Sequence, residues 1–278
     1  MTAWFSTIKN LPMRVKVKVP GSCGELVQGF FGGEPLLITC PVEIFTRVTV
    51  SDEFSGVTGL GEKSLTMLAK TLEFLGAPDF KFGIKLVSEL PRAKGMASSS
   101  ADLAAVSKAV ALALGRDISA EKISELAASI EPTDGIFFSG IAAMNPVTGK
   151  FVKNIRAAEN FQIAIFDYGG TVDTLKFNRR SNFQIPALAD AVSFELVEAS
   201  ARANQQILYK KNLPEITAFA KNLGAVTVNA AHSGTVIGIF FRAGDAVDAK
   251  ILEISRRFEF VKFVALTRLS GGGIYAEI

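Results

Sequence analysis

The sequence predicts a two-domain α+β protein. Strand-like and helix-like segments alternate through both halves, 278 residues are enough for two cores of ordinary size, and the apolar pattern resets into polar residues near 155–160. The boundary is placed there, with one domain over residues 1–157 and a second over 158–278.

The first half opens on a strand over 13–19, where Val15, Val17 and Val19 alternate with Arg14, Lys16 and Lys18. Pro20-Gly21-Ser22-Cys23-Gly24 has the composition of a turn, so the chain is expected to turn sharply over 20–26. Strands are expected at 36–40 and 44–50, separated by Pro41, which has no N–H to give a ladder. The stretch Gly56-Val57-Thr58-Gly59-Leu60-Gly61-Glu62-Lys63-Ser64 has the outline of a Walker A loop. Glu62, however, stands where a glycine must let the backbone wrap phosphate, so a turn into a helix over 64–75 is expected instead, ended by Gly76 and Pro78.

A strand over 82–87 then leads into Glu89-Leu90-Pro91-Arg92-Ala93-Lys94-Gly95-Met96-Ala97-Ser98-Ser99-Ser100 and an Ala-rich helix over 101–114. Strand, small-residue loop and helix N-terminus together form an anion site, because backbone N–H groups point outward and the helix dipole adds positive potential. Lys94 adds a cation there. The serine run also suits an N-cap and Gly95 a simple turn, and the spacing alone leaves both open.

The next helix starts near Ser119, which can cap it, and keeps Ile123, Leu126, Ala127 and Ile130 on one apolar face. It ends at Glu131-Pro132-Thr133-Asp134-Gly135, two carboxylates in a turn stiffened by Pro132. Such a pair suits Mg²⁺ binding or general-base work, although a plain surface turn has the same composition. An apolar run over 137–144 and a turn over 145–150 complete the half.

The second half reads as a buried strand over 161–166 and an irregular polar loop, Asp167-Tyr168-Gly169-Gly170-Thr171-Val172-Asp173-Thr174, of the kind that lines a site. A long helix is expected over about 186–209 and a shorter one over 214–223. A strand over 236–241, a helix over 245–258, a strand over 261–266 and a short last strand after Ser270-Gly271-Gly272-Gly273 follow.

Composition narrows the function classes. Hydrophobic residues make up 49% and charged ones 21%, and the net charge of +3 comes from interspersed signs, so no nucleic-acid-binding stripe is expected. Arg179-Arg180 and Arg256-Arg257 read as solvated faces or small-anion contacts. Mean hydropathy is +0.31, but Lys108 breaks the longest apolar run and no span is expected. Residues 1–12 lack a signal-peptide pattern, so a cytoplasmic location is expected. Cys23 and Cys40 are too far apart for a C-x-x-C site and His232 is the single histidine. Both cysteines are read as reduced, partly buried thiols, with a reactive Cys23 as the alternative.

Three segments in order resemble the GHMP kinases, small-molecule kinases named for galactokinase, homoserine kinase, mevalonate kinase and phosphomevalonate kinase. Pro20-Gly21-Ser22 is similar to their opening Pro-Gly-Lys element, Pro91-x-x-x-Gly95-Met96-Ala97-Ser98-Ser99-Ser100-Ala101 to their phosphate loop, and His232-Ser233-Gly234-Thr235-Val236-Ile237-Gly238 to their C-terminal glycine-rich motif. The finer wording of Gly24-Glu25-Leu26-Val27-Gln28-Gly29, Lys94 to Ser99, Glu131 to Asp134, Gly170 to Thr174 and His232-Ser233-Gly234 resembles the L-threonine kinase branch of cobalamin biosynthesis.

The resemblance implies an N-terminal ribosomal-protein-S5-like domain, a C-terminal ferredoxin-like α/β domain, and ATP- and Mg²⁺-dependent phosphorylation of a small hydroxyl compound. The implied acceptor is L-threonine, converted to O-phosphothreonine for the aminopropanol linker; the alternatives are the same chemistry on another alcohol, such as homoserine or a polyol, and a nucleotide-binding regulator without turnover. Pro91, Lys94, Gly95, Met96, Ala97, Ser98, Ser99 and Ser100 would hold the nucleotide phosphates, Ser99 and Glu131 the metal, and Asp134 and Lys94 would act on the transfer. Glu25, Gln28, Asp173, Thr174, His232, Ser233 and Gly234 are the implied acceptor contacts. Three positions depart from the pattern: Ala97 stands at a family glycine, Ser100 at a family alanine, and Ser22 where several members carry lysine.

Overall fold

The computed structural model describes residues 13–156, 160–172 and 182–278. The first half is built on a long hairpin, β1 (Arg14–Phe31) and β2 (Glu34–Ser51), closed by Gly32 and Gly33 at φ +59° and +85°. Positive φ at both central residues is what a two-residue hairpin turn demands, and glycine supplies it without steric cost. After β3 (Val57–Thr58) come α1 (Glu62–Phe74), β4 (Gly83–Ser88), α2 (Ser98–Ala113), α3 (Ala120–Ala128), β5 (Ile141–Met144) and β6 (Phe151–Ile155). The second half comprises β7 (Phe161–Asp167), α4 (Phe194–Ala203), a 3₁₀ turn (Asn204–Gln206), α5 (Leu213–Asn222), β8 (Thr227–Ala230), β9 (Val236–Arg242), α6 (Asp248–Arg257), β10 (Lys262–Arg268) and β11 (Tyr275–Glu277).

Among the described residues the strands form one sheet, with the path β10-β7-β9-β8-β1-β2-β4-β3. The two halves of that path are joined by a single residue pair, Glu25 of β1 with Ala230 of β8. β5 pairs with β2 and β6, and the chain end returns to the first half, where β11 pairs with β1. Mixed helices and strands in two lobes make this an α+β fold with a two-domain arrangement, as expected. The expected boundary at 157/158 falls on residues outside those described, as do the readings of 1–12 and of Arg179-Arg180.

α2 lies over the hairpin, and its helical face is so rich in alanine that backbone and sheet approach closely: Ala101, Ala104, Ala105 and Ala109 are fully buried with Leu103, Val106 and Val110. Each fully buried valine or leucine there contributes roughly 1.5–3 kcal/mol. A second cluster joins Ile216 and Ala220 of α5 and Ile251 and Ile254 of α6 to Phe166, Ile239 and Phe241 of the sheet. No described helix is long and apolar enough to cross a membrane.

Several sequence expectations are corrected. The chain does not turn over 20–26. β1 runs straight through as a strand, with register shifts against β2 at Pro20/Gly21, Ser22/Glu25 and Glu25/Val27. These bulges absorb the Pro-Gly-Ser-Cys-Gly segment and re-aim its side chains. The separate strands expected at 36–40 and 44–50 are one strand, β2, with Pro41 inside it opposite Ser22. The missing N–H is tolerated because the ladder is already irregular there. The helix expected over 186–209 is only α4 plus the 3₁₀ turn, since Ser193 caps α4 by accepting the N–H of Leu196 at 3.2 Å and residues 182–193 run in irregular backbone.

Candidate active site

The loop between β4 and α2 meets the β1 bulges at the mouth of a cleft of about 720 Å³. Backbone bonds lock the two together: the N–H of Ser22 donates to Met96 O at 3.0 Å and that of Gly24 to Gly95 O at 3.1 Å. α2 begins three residues earlier than expected, at Ser98, and its N-cap is Ala97 in the left-handed conformation, φ +52°. No side chain caps it, so of the two readings left open for the serine run, the N-cap one does not hold. Ala101 makes the bond back to Ala97 O, and the N–H groups of Ser98, Ser99 and Ser100 precede that first intrahelical bond and line the cleft. Donors and dipole converge there as an anion cradle needs.

The three serines divide the work. Ser99 Oγ hydrogen-bonds a carboxylate oxygen of Glu131, whose other oxygen holds Lys63 Nζ. Ser100 Oγ is buried against the 131–135 turn, accepting the N–H of Asp134 at 3.0 Å and the hydroxyl of Thr133 at 3.1 Å. The turn is therefore no surface turn: Glu131, Thr133 and Asp134 are all buried. Asp134 accepts the Thr39 hydroxyl at 2.5 Å, and burial pushes its pKa up to about 7, with the nearby Glu25 charge adding to the rise and Thr39 opposing it. A buried carboxyl titrating near neutrality can take up a proton from a hydroxyl placed beside it.

Ser99 and Glu131 offer hard oxygen donors beside an anion cradle. No group of three or more His, Cys, Asp or Glu able to hold a metal by itself exists among the described residues. Magnesium suits such a half-built site, because it takes one or two carboxylates and completes its shell with phosphate oxygens and water.

On the opposite side of the cleft, Glu25 and His232 form a buried pair. The His232 N–H donates to Glu25 Oε2 at 2.8 Å, and the ring Nδ1 lies 3.3 Å from the same oxygen. Nε2 lies 3.0 Å from Ser200 Oγ, which also accepts the Gln28 N–H at 3.0 Å. Glu25, Gln28, His232 and Ser233 all line the cleft. Gly234 does not, because it packs against the backbone of Gly95. Asp173 and Thr174 lie outside the described residues, though Thr171 and Val172 just before them reach the cleft.

Lys94 does not line the cleft either. Its ammonium is held at 2.6 Å by both Asp167 Oδ2 and the Gly170 carbonyl. Burial pushes Asp167 up, but Lys94 and Thr235 outweigh it and hold the carboxyl below its ordinary range. Lys94 thus ties the β4–α2 loop to the end of β7. Pro91 is likewise away from the lining, at the start of the loop. Cys23 and Cys40 are fully buried rather than partly so, and burial raises both thiols far above ordinary values, which opposes a reactive Cys23.

Sequence reading missed Lys63, Thr39 and the Arg92–Asp102 pair (3.7 Å), all at this site. Lys63 had a signal of its own, since it sits in the stretch that was set aside for lacking a glycine at Glu62. Thr39 had none, since its partner is 95 residues away.

Comparison with known proteins follows the same lines. Residues 63–142 match the family model of the GHMP kinases N terminal domain. The chain is 30% identical over 244 residues to the L-threonine kinase of Citrobacter freundii, covering 79% of this chain and 84% of that relative. It is 27% identical over 263 residues to the L-threonine kinase of Salmonella typhimurium, covering 86% of each. The crystal structure of a homoserine kinase from Cytophaga hutchinsonii superposes with a TM-score of 0.67 at 17% identity, covering 99% of this chain and 100% of that one.

Proposed function

The chain belongs to the GHMP kinase family, and from that premise we propose that it transfers the γ-phosphoryl group of ATP to the hydroxyl of L-threonine. The products are ADP and O-phospho-L-threonine, the source of the aminopropanol linker of cobalamin, made in the cytoplasm.

One observation in the cleft supports an amino-acid acceptor. Gln28 Oε1 is buried without a hydrogen-bond partner and lines the same cleft as the Glu25 carboxylate, whose charge is felt at Asp134. An unmet buried acceptor costs about 1–3 kcal/mol, and an ammonium group from the acceptor satisfies it while pairing with Glu25. Two relatives carrying the name L-threonine kinase point the same way.

In this reading the N–H groups of Ser98, Ser99 and Ser100 cradle the phosphate chain, with Gly95, Met96 and Ala97 shaping the loop. Ser99 and Glu131 would hold Mg²⁺, which supplies charge neutralisation on the transferring phosphoryl group. Glu25 and Gln28 hold the acceptor ammonium, and Ser233 donates to its carboxylate beside His232. Asp134 accepts the hydroxyl proton as the new P–O bond forms and the bond to ADP breaks. Lys94 acts on the transfer by positioning the loop through Asp167 and Gly170. With domains divided at 157/158, the cradle would belong to the first and His232 and Ser233 to the second.

The test is a phosphorus NMR screen of purified protein with ATP, Mg²⁺ and one acceptor at a time: L-threonine, L-homoserine, L-serine and simple polyols. O-phosphothreonine is the expected product. Transfer to homoserine or a polyol with none to threonine would replace the acceptor, and no transfer to any acceptor would end the kinase reading.

A further inference from the structure

Lys63 is the second residue of α1, and it sits poorly there on electrostatic grounds. A cation in the first turn of a helix faces the positive end of the dipole. Its ammonium is instead directed across the cleft onto Glu131, the carboxylate that also bonds Ser99. The side chain is one-third exposed while Glu131 is buried at 4%, so Lys63 is the movable partner of the two.

The charges lining the cleft make the pairing consequential. The acids Glu25, Glu62, Asp102, Glu131 and Asp134 face only the cations Lys63 and Arg92 among the described residues. Arg92 is engaged with Asp102, and Lys94 is turned away onto Asp167. A polyphosphate entering this cleft meets a surplus of carboxylate unless a bound cation takes over Glu131 and a protein cation is released to the phosphates. Lys63 is the one already on Glu131. Its helix start and that of α2 line the same cleft, so an ammonium leaving Glu131 needs only side-chain rotation to reach the cradle.

We propose that Lys63 is an exchangeable cation of the active site, neutralising Glu131 when the cleft is empty and moving onto the nucleotide phosphates when Glu131 engages a divalent cation. The inference rests on the nucleotide-dependent reading above. It makes Lys63 a phosphate-contacting residue, one that sits on α1 where the β1 segment has only Ser22 to offer.

The experiment is equilibrium binding of a fluorescent methylene-bridged ATP analogue, which cannot transfer its phosphate, at varied Mg²⁺. The proteins are wild type, Lys63→Ala and Lys63→Arg. At saturating Mg²⁺, Lys63→Ala should bind the analogue about 10- to 100-fold more weakly, the worth of a charge-assisted hydrogen bond. It should also need less Mg²⁺ for half-maximal binding, because no ammonium competes for Glu131. Lys63→Arg should recover most of the affinity. An ion pair of structural value only would change the melting temperature and leave both binding curves in place, and Lys63→Ala affinity within about twofold of wild type would overturn the proposal. So would weaker binding with an unchanged or higher Mg²⁺ requirement. A wild-type protein that binds no analogue at any Mg²⁺ concentration would remove the nucleotide reading itself along with this one.

Discussion

Gly95 and Gly234 touch backbone to backbone, and neither position has room for a side chain. A Cβ on Gly95 would lie 2.7 Å from Gly234 Cα, and one on Gly234 would lie 2.2 Å from the Lys94 carbonyl oxygen and 2.3 Å from Gly95 Cα. The contact joins the β4–α2 loop of the first half to the His232-Ser233-Gly234 segment of the second, where the N–H of Thr235 also donates to Lys94 O at 2.9 Å. Gly234 has no positive φ, so alanine there meets only the collision, whereas Gly95 at φ +81° adds backbone strain. Gly234→Ala should therefore push the two segments apart, lowering stability by about 1–3 kcal/mol and weakening nucleotide analogue and acceptor binding together. Chemical denaturation and paired binding titrations check this. Loss of one ligand with the other untouched would mean that the contact does not couple them.

As the proposed proton acceptor, Asp134 would give the enzyme a pH dependence with a defined sign. In that role its carboxyl must be ionised, and its value of about 7 would put the acid limb of activity near neutrality. Thr39 stabilises the ionised form through its hydroxyl at 2.5 Å, so Thr39→Val should move that limb upward by about one pH unit. Stability runs the other way. The folded value lies above the unfolded 3.8, so the stabilisation is full below about 4 and is lost as pH rises through 7. Asp134→Asn, which cannot ionise, should lose phosphoryl transfer and gain on wild type across that window, by on the order of 4 kcal/mol. Rate profiles and denaturation at pH 4 and pH 8 separate the two effects, and parallel stability curves for both proteins would refute the assignment.

Ala97 carries the left-handed conformation at the N-cap of α2 with a Cβ that disfavours it. Glycine relieves that cost, on the order of 1 kcal/mol, in part offset by greater freedom in the unfolded chain. Ala97→Gly should leave transfer intact and raise the melting temperature slightly. A clear loss of stability would show that the methyl group packs more favourably than its backbone strain costs.

Local spacing made an anion cradle and a stiff carboxylate turn conceivable, but it left the serine run open to a simple N-cap and the Pro132 turn open to a plain surface turn. The roles expected of Ser99, Glu131 and Asp134 came from the resemblance to the GHMP kinases, and the structure brings these residues together through the Ser99–Glu131 and Ser100–Asp134 bonds. The misreadings have physical causes. Turn-like composition over 20–26 became bulged strand because β1 is paired along its length with β2, and that tertiary pairing overrides local preference. The serine run left an N-cap open, yet the helix start is set by Ala97, and Ser100 is spent on the Asp134 turn. Lys94 was read as facing phosphate because it adjoins Gly95, but adjacency in sequence does not fix where a long side chain points, and Asp167 captured it. Lys63 and Thr39 reach the site from α1 and β2, which only the folded chain brings near Glu131 and Asp134.

Lys210 is buried at 2% exposure, and its ammonium donates to the Ala231 carbonyl at 2.7 Å. Burial lowers its pKa to about 8, against the pull of Glu25 in the other direction. The folded value lies below the unfolded 10.5, so its contribution to stability is full above 10.5 and is lost as pH falls through about 8. Wild type should therefore gain on Lys210→Met between pH 8 and 10.5, by on the order of 3 kcal/mol, and a constant difference over that range would contradict it. The same bond has a functional side. Ala231 immediately precedes the His232 N–H that donates to Glu25, so the buried ammonium fixes the peptide beside the residues proposed to hold the acceptor. Lys210→Met should accordingly raise the KM for the acceptor while leaving analogue binding within about twofold, because its ammonium bonds the Ala231 carbonyl rather than the α2 helix start; equal losses at both ends would show that the substitution acts through general loosening of the fold.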